Sequence, residues 1–326
     1  MTRRRFSVNK SSITYFTWCF LFLSNSLARA VLCGMLQSPT TAFFFPLRPA
    51  VLRGRTVVVS SLTRHQRLHS FATMNCGTVG ENLARVRHRV KEVAKGLEPP
   101  PRLVAVSKTK PVAALKEAYD AGQRHFGENY SHEVLEKAPE LPDDVKWHFI
   151  GHLQSNKAKA LVEQVPNLWM VEAVDSIKLA DRLQAATAGV LETRRKGERL
   201  KILVQIDTSG EATKSGKRTE DAAVIAQHVT AQCPALQFAG VMTIGASGDM
   251  TCFDKLVDAR EAIARATGLD AASLELSMGM SNDFEEAIAR GSTNIRVGST
   301  IFGARQYRSK EEPPVAEYNE GESKSK

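Results

Sequence analysis

Three short stretches hold residues whose types and spacing could do chemistry: Leu103-Val-Ala-Val-Ser-Lys-Thr-Lys-Pro111, Ser277-Met-Gly-Met-Ser-Asn-Asp283 and Arg296-Val-Gly-Ser-Thr-Ile-Phe-Gly303. The first delivers Lys108 to the end of an apolar run that Pro111 stops. Partial burial lowers a lysine's pKa and leaves more of the neutral amine, the form that attacks carbonyls. Taken alone, Lys108 reads equally as a core-edge lysine whose stem snorkels to solvent. The other two stretches bear on that choice. Gly279 permits a close backbone approach, and Ser281 is placed to N-cap a helix starting near Asp283. Gly298, Ser299 and Thr300 can offer amides and hydroxyls to an anion. Arg296 carries a permanent charge that needs a partner, either a carboxylate such as Asp283 or Glu285 or a bound group.

These residues must be positioned by regular elements, and the periodicity supplies them. Leu83, Val86, Val90 and Val93 lie on one helical face that ends before Pro99-Pro-Pro101. Val104–Val106 reads as a buried strand and Ala113–Tyr119 as the helix after it. Further strands are expected at 124–127, 146–150, 168–174, 201–206, 238–244, 274–277 and 294–297. Helices are expected between them at 131–138, 156–164, 176–193, 219–231, 250–267 and 283–290. Eight strands alternating with helices predict a single α/β domain, a (β/α)8 TIM-type barrel over 79–308. A doubly wound open sheet is the alternative, weakened because no GxGxxG follows the first strand. In a barrel, phosphate commonly binds at the loops after strands seven and eight. Both Gly/Ser stretches fall on those two loops, which favours the chemical reading of Lys108.

Composition narrows the function further. The net charge of +9 is uneven: residues 1–80 hold ten Lys or Arg and no acid, and the remaining 246 carry 34 basic and 35 acidic residues. The folded part is near neutral, so nucleic acid is not an expected partner. Cys233 and Cys252 show no CxxC or Cys/His spacing, so neither a disulfide framework nor a metal site is expected. Residues 1–78 read as a disordered targeting leader. Arg3-Arg-Arg5, the apolar run 13–23 and Ala28-Arg-Ala30 resemble a secretory signal, followed by an acid-free, transit-like segment. The apolar run is short for a permanent membrane span. A plastid or mitochondrial destination is expected, or a cytoplasmic one if translation starts at Met74. Residues 309–326 read as a disordered polar tail.

Ala105-Val-Ser-Lys-Thr-Lys-Pro111, Phe126-Gly-Glu-Asn-Tyr130, His148-Phe-Ile-Gly-His-Leu-Gln-Ser-Asn-Lys157 and Ser277-Met-Gly-Met-Ser281 through Phe302-Gly303 resemble the pyridoxal 5'-phosphate (PLP) homeostasis proteins of the YggS/PROSC type. The resemblance covers roughly residues 80–307. It implies a barrel like the N-terminal domain of alanine racemase, with PLP bound to Lys108 as a Schiff base. Asn129 would lie by the ring, Arg296 would face the pyridine nitrogen and oppose its protonation, and Ser281, Gly298 and Ser299 would serve the phosphate. The implied function is PLP (vitamin B6) homeostasis and supply rather than enzymatic turnover, with PLP-dependent apo-enzymes as recipients and the protein a monomer. A PLP-dependent amino-acid racemase is the alternative. Racemases of this kind add a β-rich C-terminal domain and a catalytic tyrosine, whereas a short polar tail follows Gly303 here. His148 and His152 fit core or capping roles as well as catalysis. Lys110 and Lys157 read as solvated neighbours or as secondary PLP-transfer residues.

Overall fold

The apolar runs become strands and the amphipathic stretches between them become helices, in strict alternation. A computed structural model describes residues 77–210 and 216–304. The order is α1 (Val79–Val93), β1 (Arg102–Val106), α2 (Val112–Asp120), β2 (His125–Glu128), α3 (Ser131–Lys137), β3 (Lys146–Phe149), α4 (Ala158–Gln164), β4 (Leu168–Val174) and α5 (Ile177–Val190). It continues with β5 (Leu200–Gln205), α6 (Thr219–Gln232), β6 (Leu236–Met242), α7 (Thr251–Thr267), β7 (Glu275–Ser277), α8 (Phe284–Ala289), β8 (Asn294–Val297) and the single turn α9 (Ser299–Phe302). The strands pair in chain order and all in parallel, and β8 returns to β1 with Val104 opposite Arg296. The sheet is a closed barrel, so the doubly wound alternative does not hold. The leader and tail proposed above lie outside the described residues, apart from Gly77 and Thr78; among the described residues no helix is long and apolar enough to cross a membrane.

Local signals set the elements. Thr78 caps α1 in a capping box: its hydroxyl accepts from the Glu81 amide and the Glu81 carboxylate accepts from the Thr78 amide. Pro111, at φ −70°, opens α2 and ends the extended chain that carries Lys108. Alternation along the strands then divides the core. On β8, Ile295 and Val297 join the apolar layer beneath the helices, with Leu115, Leu161, Leu183, Leu256 and Phe284. Asn294 and Arg296 point the other way, into a barrel interior that also holds the apolar side chains of Met170, Leu203 and Met242.

Most boundaries differ from the periodicity by one or two residues. The helix expected at 176–193 ends three residues early, at Val190, and β6 moves at both ends, from the expected 238–244 to Leu236–Met242. Leu236 and Gln237 pair with Leu200 and Lys201, whereas Thr243 turns its hydroxyl back to the Ile206 carbonyl and Ile244 is left exposed. Apolar content marked where the chain is buried, and hydrogen bonding decided where the strand ends. Gly279 is required twice over. Its φ is +93°, and a Cβ there would sit 2.6 Å from the Ala287 Cβ and 3.0 Å from the Phe284 Cα. Gly279→Ala is expected to destabilise the protein by about 2–3 kcal/mol, measured by denaturant unfolding, because strain and overpacking add. A change within about 0.5 kcal/mol would contradict that reading.

Candidate functional site

The end of β1 is fixed by a turn. The Lys110 amide donates to the Ser107 carbonyl at 3.1 Å, and Thr109 takes the left-handed conformation at φ +63°. That conformation is uncommon for a residue with a Cβ, and here the Thr109 amide donates to Glu133 Oε2 at 2.8 Å. Lys108, half-buried, is therefore presented at the tip of a clamped turn rather than on a loose loop. Below it lies an ionic cluster. Lys137 Nζ donates to the Ser107 carbonyl at 3.0 Å, to Glu128 Oε1 at 2.8 Å and to Glu133 Oε2 at 2.5 Å. Ser107 Oγ donates to the same Glu128 oxygen at 2.6 Å. The cluster ties the β1 end to β2 and α3.

Burial pushes the Glu128 carboxyl up to about 7, with Lys137 and Ser107 pulling against it. The folded protein thus keeps this proton to about pH 7, while the unfolded chain releases it near an ordinary glutamate value. Stability is expected to fall as pH rises across that interval, at up to about 1.4 kcal/mol per pH unit from this group. Urea unfolding of the wild type and Glu128→Gln at several pH values checks it: the difference between the two should vary with pH over this window, and a constant offset would refute the assignment.

A second network crosses the barrel interior. Arg296 Nη1 donates to Ser277 Oγ at 2.5 Å and Nη2 to the Thr243 carbonyl at 2.7 Å. Ser277 Oγ in turn donates to Glu172 Oε2 at 2.6 Å. The other Glu172 oxygen accepts from His148 Nδ1 at 2.6 Å and Asn294 Nδ2 at 3.0 Å. Burial alone would raise the Glu172 carboxyl, but the bond and charge of His148, the Arg296 charge and Ser277 hold it down at about 2. Arg296 itself is lowered by burial, which the Glu172 and Asp283 charges oppose. The carboxylate serving Arg296 is therefore Glu172, through Ser277. Glu285, the other carboxylate considered from sequence, pairs with Arg89 at 2.8 Å. His148 Nε2 shares a 2.9 Å hydrogen bond with His125 Nδ1, and burial and the proximity of His148 depress His125 to about 2.

Above this network, at the C-terminal ends of the strands, opens a cavity of about 590 Å³. Its walls include Lys108, Ser281, Arg296, Gly298 and Ser299, with Ile244 and Met280 as apolar surface. Five of the six residues expected from sequence thus meet in one space. The sixth, Asn129, follows β2 at the same end of the barrel but is outside that lining; its Oδ1 is enclosed with no hydrogen-bond partner. Ser281 does not cap α8, whose N-cap is Asp283. Instead Ser281 Oγ accepts from the Gly298 amide at 3.2 Å, joining the loops after β7 and β8. Gly298 fits close to β1, where a Cβ would lie 3.1 Å from the Val106 carbonyl oxygen. His148 is a buried core residue, and His152 is largely exposed beside Asp175. Lys110 lines the cavity and donates to the Ala304 carbonyl, whereas Lys157 is exposed elsewhere. Sequence reasoning missed Glu128, Lys137 and Glu172. A signal existed for the last: a lone acid inside the apolar run Leu168–Val174.

Comparison with known proteins adds to this geometry. Residues 82–306 match the family "alanine racemase, N-terminal domain". The chain is 50% identical over 230 residues to the pyridoxal phosphate homeostasis protein of Bos taurus, covering 67% of this chain and 82% of that protein. It is 49% identical over 226 residues to that of Homo sapiens, covering 65% and 80%. PipY of Synechococcus elongatus, solved with PLP bound, superposes with a TM-score of 0.56 at 36% identity, over 69% of this chain and all of PipY. Alanine racemase of Corynebacterium glutamicum shares the fold, with a TM-score of 0.52 at 17% identity over 72% of this chain and 63% of that one.

Proposed function

Since the chain belongs to the pyridoxal phosphate homeostasis proteins, a family built on the alanine racemase N-terminal domain, we propose that it holds PLP on Lys108 as a Schiff base and supplies it to apo-enzymes. The observation that carries this reading is that Lys108 and the buried Arg296 open into one cavity with Ser281, Gly298 and Ser299. The residues fit the group. A volume of about 590 Å³ is ample for a small cofactor. Asn129, whose enclosed Oδ1 has no hydrogen-bond partner, stands at the same end of the barrel but outside the cavity lining. When bound, PLP supplies an aldehyde that condenses with an amine, and its chemistry is the cofactor's own.

The chain's residues supply position and charge. The Ser107–Lys110 turn presents the Lys108 amine. Arg296 is oriented by Ser277 and Thr243, and as a group that only donates it opposes protonation of a ring nitrogen facing it. Ser281, Gly298 and Ser299, on the loops after β7 and β8, would receive the phosphate. Among the described residues lining the cavity, the titratable groups besides Lys108 and Arg296 are Lys110 and Asp283. Lys110 is engaged by the Ala304 carbonyl, and Asp283 accepts the Met280 amide at 2.6 Å. Racemisation needs a positioned acid and base on opposite faces of a substrate carbon, and this lining offers no convincing second partner to Lys108. That favours a carrier. The test is paired: PLP-loaded protein should reactivate a PLP-dependent apo-enzyme, and amino-acid racemisation should not exceed that of free PLP. Substrate-specific racemisation with saturation kinetics would overturn the carrier reading.

A further inference from the structure

Away from the barrel mouth, the described residues contain one group of three side chains of metal-ligating type within mutual reach. Asp181 lies on α5, His228 on α6, and Cys233 is the C-cap of α6. One ligand atom from each lies within 4.8 Å of the others. The sequence does not advertise this cluster, because His228 and Cys233 are five residues apart and Asp181 comes from another helix. The fold holds it together. The Cys233 amide donates to the Val229 carbonyl at 3.1 Å and its carbonyl accepts from the Leu236 amide at 2.9 Å. Gln184 of α5 accepts from the Ala235 amide at 2.9 Å, fixing the turn that bears the thiol against the helix that bears the carboxylate.

We propose that Asp181, His228 and Cys233 bind a borderline-soft divalent cation, of which zinc best suits the donor set. One sulfur, one imidazole nitrogen and one carboxylate oxygen match tetrahedral zinc with a fourth position for water, whereas calcium and magnesium take oxygen ligands. Exposure is graded. The cysteine is buried, the His228 side chain is 24% exposed and the Asp181 side chain 56%, so an ion enters from solvent with the thiol as floor. A thiolate and a carboxylate balance the two positive charges of the ion. On binding, the Cys233 S–H bond breaks, a sulfur–metal bond forms and the proton leaves to water. In the metal-free protein a proton bridges His228 Nε2 and Asp181 Oδ1; on binding it leaves Nε2, the ring keeps one proton on Nδ1, and the freed Nε2 lone pair takes the ion. The 2.6 Å contact between His228 Nε2 and Asp181 Oδ1 is replaced by a bond from each atom to the ion. Donors on a tetrahedral zinc lie about 3.3 Å apart, so Asp181, the exposed member, swings outward. The bound ion clips α5 to α6 on the outer wall of the barrel. The proposal departs from the expectation, drawn from cysteine spacing, that there is no metal site.

The test uses purified full-length protein and cobalt(II) as a spectroscopic stand-in for zinc, read as a difference spectrum against the same sample without metal. One equivalent should give tetrahedral visible bands and a near-ultraviolet thiolate-to-cobalt charge-transfer band, both abolished by an equivalent of zinc. Cys233→Ser should lose the charge-transfer band and Cys252→Ser should keep it. Asp181→Asn, a change at an exposed rim that leaves the fold intact, should weaken cobalt binding about tenfold or more. No charge-transfer band in the wild type, or one that survives Cys233→Ser, would overturn the proposal. Should Cys233→Ser fail to fold, an unchanged cobalt affinity in Asp181→Asn would overturn it.

Discussion

Replacing Lys108 with alanine is expected to weaken PLP binding about 100-fold or more, ~2.7 kcal/mol, and to remove the covalent component entirely. The reasoning is local. The Ser107–Lys110 turn is held by the Lys110 amide, by Glu133 on the Thr109 amide and by Lys137 on the Ser107 carbonyl, none of which involves the Lys108 side chain. The turn should therefore survive the substitution, and the remaining contacts, from Arg296, Ser281, Gly298 and Ser299, should retain PLP weakly and reversibly. Gel filtration after loading separates the cases: wild type keeps its absorbance and Lys108→Ala loses it. Lys110→Ala serves as control and should keep it, because Lys110 is engaged by the Ala304 carbonyl. Retention by Lys108→Ala with the reverse result for Lys110→Ala would transfer the role to Lys110.

The second large effect is expected at Glu172, which is not itself among the residues lining the cavity. Removing one member of a buried ionic pair leaves the other charge uncompensated and costs about 3–5 kcal/mol. Here the stranded group is Arg296, linked to Glu172 through Ser277, and the His148 and Asn294 donors lose their acceptor as well. Glu172→Gln is expected to destabilise the protein by about 3 kcal/mol, lowering Tm by about 6–12 °C for a domain of this size. Its pH dependence carries the opposite sign to that of Glu128. The folded carboxyl sits near 2, below an ordinary glutamate, so its contribution is fully present above the unfolded value and is lost as pH falls toward 2. The wild type should converge on Glu172→Gln as pH drops through that range. A substitution that leaves Tm unchanged at neutral pH would show that Arg296 does not depend on Glu172.

Much of the fold was legible because a parallel barrel repeats one pattern: a short apolar strand, a turn, an amphipathic helix. The loops after β7 and β8 were legible as sites for the same reason, since counting strands tells which loops face the cavity. What escaped was set by contacts between distant positions. Ser281 looked like a helix cap because Asp283 follows it, yet its hydroxyl takes the Gly298 amide, seventeen residues away. Arg296 was expected to find Asp283 or Glu285 nearby in sequence; the Asp283 charge does act on it, but the larger carboxylate influence is Glu172, on a strand across the barrel. Glu128 lay inside a recognisable motif, but its pairing with Lys137 depends on α3 packing back over β2. The stretch 189–199 is pinned by Arg195, whose guanidinium donates to the Leu168 carbonyl at 2.8 Å, a contact that spacing does not reveal. Periodicity gives each element its face, and only the closed barrel gives each face its neighbours.

Loading the full-length protein with PLP, reducing it with borohydride and mapping the modified peptide by mass spectrometry identifies the residue that carries PLP. A single phosphopyridoxyl group on Lys108, at near one per chain, is expected. A group found instead on Lys110, Lys137 or Lys157, or no retained group at all, would contradict the assignment to Lys108.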